Sequence, residues 1–441
     1  MGRLWQKLIA SEKSFLAFLA LILVLPGFFH GPRFGLPRVK GGDEPHYLIM
    51  LNGFLNDGNF ELKENYERVW RGSPEAGRKF AGVLLDPHVV YREGGRFLWW
   101  SQVYEDPSKW KKDGQGLPVP QYQNGVDGAA LKAYPEHPVG LALLLAAPLW
   151  LFRGTPWVEP LALLLSALSM FLCALAFRSL LRRYTPDPAL ANGCTLLVFL
   201  GTPLWAYGRT LFTEPFLACL ALGAYALALK RDSGLVPGIL LGIGMMMKPV
   251  LAVLLFPLFV FWAARRAWGK IASLAVGPAL ATVVFLALDD SMFGSPFHTP
   301  QPFAVGNPLH GALGLWFSWN HGLIPFSPAL LPVLFSWKKF IADKREEALL
   351  LGSAFLGYFL IMALWKEWTG DWCFGPRLVV PVIPFLAIPA WHTLGVFRAA
   401  NAWKRALFLF LYALSLAFSA LGAVDGYWDS HPLTLLWGNI S

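Results

Sequence analysis

An all-α polytopic membrane protein is the fold class this sequence predicts, and three observations predict it. Apolar runs of about 15–22 residues recur from one end of the chain to the other, each near the length that crosses a bilayer as a helix. The 441 residues are 55% hydrophobic and only 15% charged, against about 25% charged in a soluble domain. The basic residues behind the net charge of +9 gather at the ends of the apolar runs, where membrane topology requires them. That placement reads as orientation in a bilayer and argues against a nucleic-acid partner.

The first span is expected over Ser14–Phe29. Arg3, Lys7 and Lys13 precede it, which puts the N-terminus in the cytoplasm. The run ends Pro-Gly-Phe-Phe-His with no small-x-small cleavage site, so it reads as a retained anchor. Further spans are expected at 157–178, 188–207, 211–229, 234–247, 250–264, 270–288, 323–337, 347–365, 376–395 and 405–424, making about eleven in all. The predicted inner loops then carry Arg178, Arg182 and Arg183; Lys230 and Arg231; Arg265, Arg266 and Lys270; Lys338, Lys339, Lys344 and Arg345; and Arg398, Lys404 and Arg405. Every short inner loop is basic, provided the apolar run His137–Phe152 lies on or re-enters the outer leaflet instead of crossing.

The chain reads as a single integral membrane domain over 1–441, rich in irregular sequence on its outer side. A first outer loop spans 31–156, with Trp70, Trp99, Trp100 and Trp110. Within it Tyr47–Leu55 reads as an apolar helix at the interface. A second outer loop spans 289–322, a third Lys366–Pro376, and Gly426–Ser441 ends the chain outside, on the periplasmic face of an inner membrane. Of the four cysteines, Cys173, Cys194 and Cys219 sit in apolar runs and read as small core residues, and no CxxC pattern is present. The lack of an internal repeat argues against an inverted-repeat transporter.

Asp43 and Glu44, in Gly42-Asp43-Glu44-Pro45-His46-Tyr47, are the leading catalytic candidates. Transfer onto a hydroxyl needs a base within hydrogen-bond reach of the acceptor proton. In an extended segment the two side chains point opposite ways, so one would face the acceptor and the other hold the loop or a divalent cation, Mg or Mn. Glu214, Lys248 and Arg377 fall near outer ends of spans. Charges there are costly and mark functional or paired sites. Lys248 and Arg377 are suited to phosphate oxygens, as point charge and bidentate fork, with snorkelling to the headgroups or a Glu214–Lys248 ion pair as the structural alternatives. His46, Tyr47, His137 and Trp372 complete the expected substrate cavity; Trp372 fits a sugar-stacking or an interfacial-belt role. No histidine pair has a metal-ligand spacing such as HxxxH. No GxxxxGK[ST], GxGxxG or GxSxG motif occurs, which argues against a nucleotide as the direct donor.

In order along the chain, G-D-E-P-H-Y (42–47), Y-P-E-H-P-V-G-L (134–141), R-T-L-F-T-E-P (209–215), M-K-P (247–249) and F-G-P-R-L-V-V-P-V-I-P (374–384) resemble the motifs of the membrane-embedded GT-C glycosyltransferases. The protein mannosyltransferase and aminoarabinose transferase superfamily is the nearest in pattern. The resemblance implies a GT-C-like fold with amphipathic juxtamembrane helices in the first outer loop. It also implies an inverting transfer of a hexose or pentose from a polyprenyl-phosphate donor to a membrane-associated hydroxyl acceptor. By the same resemblance Asp43 is the base, with Glu44 beside it, and Lys248 and Arg377 hold the donor phosphate. His137 is followed by Pro-Val where the family pattern has Pro-Pro. A ligase of lipid-linked polymers and a lipid or sugar transporter are the rival expectations.

Overall fold

The protein is described here by a computed structural model covering residues 11–24, 39, 41–71, 88–114, 119–298 and 303–425. The end of the expected first span (25–29), Arg3, Lys7 and the C-terminal outer segment 426–441 lie outside the described residues. The chain divides into two compact units: Met1–Arg38 with Leu163–Leu280 and Phe303–Ser441, and Val39–Ala162 with Ala281–Pro302.

Helices dominate, as composition and apolar runs predict. Among the described residues, four are long and apolar enough to cross a membrane: Val158–Leu181, Trp268–Phe293, Arg345–Leu364 and Ala402–Val424. A fifth arises if Arg377–Ala387 and Ala390–Ala399, bent by 59° at their junction, count as one. The bend falls at Pro389, which lacks an amide hydrogen and whose ring clashes with the preceding turn. Other expected spans are shorter apolar helices, among them Pro188–Leu200, Glu214–Ala228 and Leu235–Met247. At 1.5 Å per residue these cover about 20 Å, less than the ~30 Å hydrocarbon thickness. The run at 137–152 gives only Gly140–Leu149 and a 3-10 turn, Trp150–Phe152.

In the first unit, Leu235–Met247 ends because Pro249 forces the preceding residue out of helical geometry: Lys248 is extended, at φ −145° and ψ 108°. The chain resumes as a 3-10 segment, Pro249–Leu254. Arg377 likewise stands at a break, opening the 3-10 turn Arg377–Val382 behind Pro376. Glu214 opens the helix Glu214–Ala228, which packs on both Leu235–Met247 and Arg377–Val382. Leu235–Met247 approaches Trp268–Phe293 closely through glycine. A Cβ on Gly238 would lie 2.2 Å from the Leu274 carbonyl oxygen, so no larger residue fits between these backbones.

The second unit corrects one expectation. It is not purely helical: β1 (Val89–Glu93), β2 (Arg96–Leu98) and β3 (Lys132–Pro135) form an antiparallel sheet in the order β2-β1-β3. Valine and tyrosine favour the strand, and Gly94-Gly95 closes the β1–β2 hairpin. The apolar helix expected at Tyr47–Leu55 forms, and protein covers most of it. It belongs to the helix Glu44–Asp57, in which Tyr47, Leu48, Ile49, Met50 and Leu51 are all buried. Its buried apolar residues pack on Gly140–Leu149.

Candidate active site

Asp43 sits in a tight turn that Gly42 makes possible at φ +58°, a value open to glycine at little cost. Asp43 itself is helical in φ and ψ, and Glu44 is the first residue of the helix. The two are therefore not set opposite one another by an extended backbone, contrary to expectation. Glu44 is 1% exposed, and its Oε2 accepts from the Gly41 amide at 3.4 Å. It folds back on its own turn and holds the loop. Asp43 is buried beside His137, with Oδ2 3.6 Å from Nε2.

His137 arrives there through the sheet. β1 and β3 pair Val89 with Pro135, and the Glu136 amide donates to the His88 carbonyl at 3.0 Å. Residues just outside this ladder, His88 and His137, are thereby neighbours: His88 Nδ1 lies 3.0 Å from His137 Nε2. The His46 ring stacks on His88 with centroids 3.9 Å apart, and its Nδ1 meets the Tyr66 hydroxyl at 2.8 Å. Tyr47 stacks on His137 at 5.4 Å. Burial, reinforced by His88 and His137 and opposed by Asp43, holds His46 well below the ordinary histidine range. His46 thus packs as a neutral ring at neutral pH.

Asp43, His88 and His137 each turn one ligand atom into a common space, all within 4.8 Å of one another. Two imidazoles and a carboxylate are a donor set for a divalent ion of the zinc or manganese kind. The group is assembled from three separate places in the sequence, which is why no local spacing announces it. Glu44, expected to share a cation with Asp43, is not in the set. His88 is the residue that sequence reasoning missed; its one signal is its place at the mouth of the V-V-Y strand.

The remaining candidates gather in the first unit. Glu214 is fully buried. Its Oε1 accepts from Lys248 Nζ at 2.6 Å and from Arg377 Nε at 3.0 Å. Arg377 Nη1 donates to the Gly370 carbonyl at 3.3 Å, and the guanidinium lies over the Phe212 ring, 4.1 Å from its centroid. The expected Glu214–Lys248 pair is present, but as two sides of a three-residue cluster. Trp372, on the same 366–376 loop as Gly370, is 69% exposed.

This architecture is that of solved membrane proteins. The structure of ArnT from Cupriavidus metallidurans bound to undecaprenyl phosphate matches with a TM-score of 0.57 at 15% identity, over 93% of this chain and 68% of that one. ArnT from the same organism in the apo state matches with a TM-score of 0.51 at 14% identity, over 89% and 60%. The chain thus spans between three fifths and about two thirds of the length of these proteins. No protein-family model and no curated protein matches the sequence. The likeness is one of fold: the chain shares the fold of these ArnT structures, in keeping with the aminoarabinose-transferase-like fold that the resemblance of its motifs implied.

Proposed function

We propose that this protein is an inverting membrane glycosyltransferase that moves a sugar from a polyprenyl-phosphate carrier to a hydroxyl acceptor. The observation that carries the reading is Asp43: a nearly buried carboxylate in the first loop of a GT-C fold, set beside His137. The ArnT structure with undecaprenyl phosphate supports the choice of carrier. In the reaction the acceptor oxygen attacks the anomeric carbon as the bond from that carbon to the phosphate oxygen breaks. The electron pair leaves on the phosphate, and the acceptor proton passes to Asp43. Glu44 keeps the Asp43 turn in place through Gly41. Arg377 and Lys248 are the donor-phosphate ligands in this reading, because two cations anchored on one carboxylate form a rigid cationic patch. A divalent ion held by Asp43, His88 and His137 would supply Lewis acidity when bound.

The same reading keeps the chain as one integral domain with about eleven membrane passages, the short apolar helices completing the count. It places the N-terminus in the cytoplasm and the 31–156 loop on the outer face of an inner membrane. The test is transfer by the purified full chain from a labelled polyprenyl-phosphate sugar. Asp43→Asn is expected to lower the rate by about 10²–10⁴-fold, the usual contribution of a general base, with folding retained. Turnover near the wild-type value would remove Asp43 from that role.

A further inference from the structure

Glu214 poses a problem for any phosphate-binding role of its neighbours. A carboxylate repels phosphate, yet here one is fully buried and sits directly between the two cations. A site built for charge alone would omit it. The geometry explains why it is present. Lys248 stands at a helix break before Pro249, and Arg377 stands at another behind Pro376. Neither residue lies within a regular α-helix. The lysine ammonium in particular is a point charge on a flexible stem. Both reach the same atom, Glu214 Oε1, at 2.6 and 3.0 Å. Thr213 Oγ1 lies 3.4 Å from the other oxygen, and the Gly370 carbonyl and the Phe212 face hold the far side of the guanidinium. One carboxylate against two cations leaves a single positive charge in excess, with both cations held at a defined separation.

We propose that Glu214 is the positioning residue of this anion site: it fixes Lys248 and Arg377 in one arrangement and so confers affinity for a lipid-linked phosphate despite its own negative charge. The inference rests on the donor-phosphate reading of Lys248 and Arg377. It makes a prediction opposite in sign to simple electrostatics. Glu214→Gln raises the local charge by one unit, and by charge alone phosphate would bind more tightly. By positioning, it binds more weakly, because Lys248 is no longer tied to Arg377 through one carboxylate and must be ordered when the ligand arrives.

The experiment compares binding of undecaprenyl phosphate and of uncharged undecaprenol to the full chain in detergent, for wild type, Glu214→Gln and Glu214→Asp. The ratio of the two affinities is the readout, since general damage to the fold weakens both lipids alike. Wild type is expected to prefer the phosphate lipid. Glu214→Gln should lose about tenfold or more of that preference, the equivalent of one charge-assisted hydrogen bond. Glu214→Asp keeps the charge but draws the carboxylate back by one methylene, and should also lose preference. If Glu214→Gln does not fold, Glu214→Asp decides the matter by the same ratio. A preference retained or increased in the variant that folds overturns the positioning role and leaves the donor-phosphate reading standing. A wild type with no preference for the phosphate lipid overturns that reading and this inference together.

Discussion

Replacing Arg377 by methionine isolates the coupling inside the buried cluster. Its side chain is 7% exposed, that of Lys248 19%, and that of Glu214 not exposed at all. Removing the arginine deletes the bonds to Glu214 Oε1 and to the Gly370 carbonyl and the contact with Phe212. Breaking a buried pair from one side typically destabilises by about 3–5 kcal/mol, because a charge is left uncompensated. Lys248 still serves Glu214 in this variant, so the lower end of about 3 kcal/mol is expected. Lys248→Met should behave alike through the other cation. In the double variant Glu214 has neither cation. The loss should therefore exceed the sum of the single losses by about 0.5–3 kcal/mol, the usual coupling of residues in one network. The assay is unfolding of the full chain in mixed micelles, with the four proteins forming a double-mutant cycle. Additive losses would refute the shared-oxygen arrangement, as would single variants as stable as the wild type.

Three further outcomes are expected. After chelation and reloading with zinc or manganese, the purified chain should retain about one ion, the stoichiometry of a three-donor site. His88→Ala and His137→Ala should lose it and Glu44→Gln should keep it, as elemental analysis would register; equal retention by all would remove the site. Reporter fusions after Arg71 and after Arg183 should report opposite sides of the membrane, and the same side for both would overturn the proposed topology. The Asp127 amide, 2.6 Å from Glu93, and then Arg96 hold the Glu93 carboxyl below its ordinary range. A depressed folded value means that Glu93 adds stability above its unfolded pKa, about 4.3, and that this contribution vanishes as pH falls through the lower folded value. Glu93→Gln should accordingly be less stable than wild type at neutral pH and equal to it in strong acid; unfolding midpoints across the acid range would show a constant gap if the reasoning is wrong.

Some of this architecture was open to sequence reasoning because it depends on local composition. Apolar runs declare helices, since a backbone in hydrocarbon must satisfy its own hydrogen bonds. The prolines beside Glu214, Lys248 and Arg377 likewise act on their immediate neighbours, whereas the turn at Gly42-Asp43-Glu44 was expected as an extended segment. The hairpin V-V-Y-R-E-G-G-R-F-L was also legible, as β-branched and aromatic residues around a Gly-Gly turn, though expectation passed over it in favour of helices. The apolar run Tyr47–Leu55 announced a helix but not what covers it. An apolar helix is equally suited to lipid or to protein, and only the packing of Gly140–Leu149 on it settles which.

What the chain by itself determined is therefore the membrane class, the order of the motifs and the chemical character of each candidate residue. Tertiary structure alone decided the partnerships. His88 reaches His137 across 49 positions because a strand register places them side by side. Arg377 reaches Glu214 across 163 positions because their two elements pack together. Glu44, adjacent to Asp43 in sequence, turns away to bind its own loop. Ligand sets and buried ion pairs act over a few ångströms of space, and distance along the chain does not measure that space.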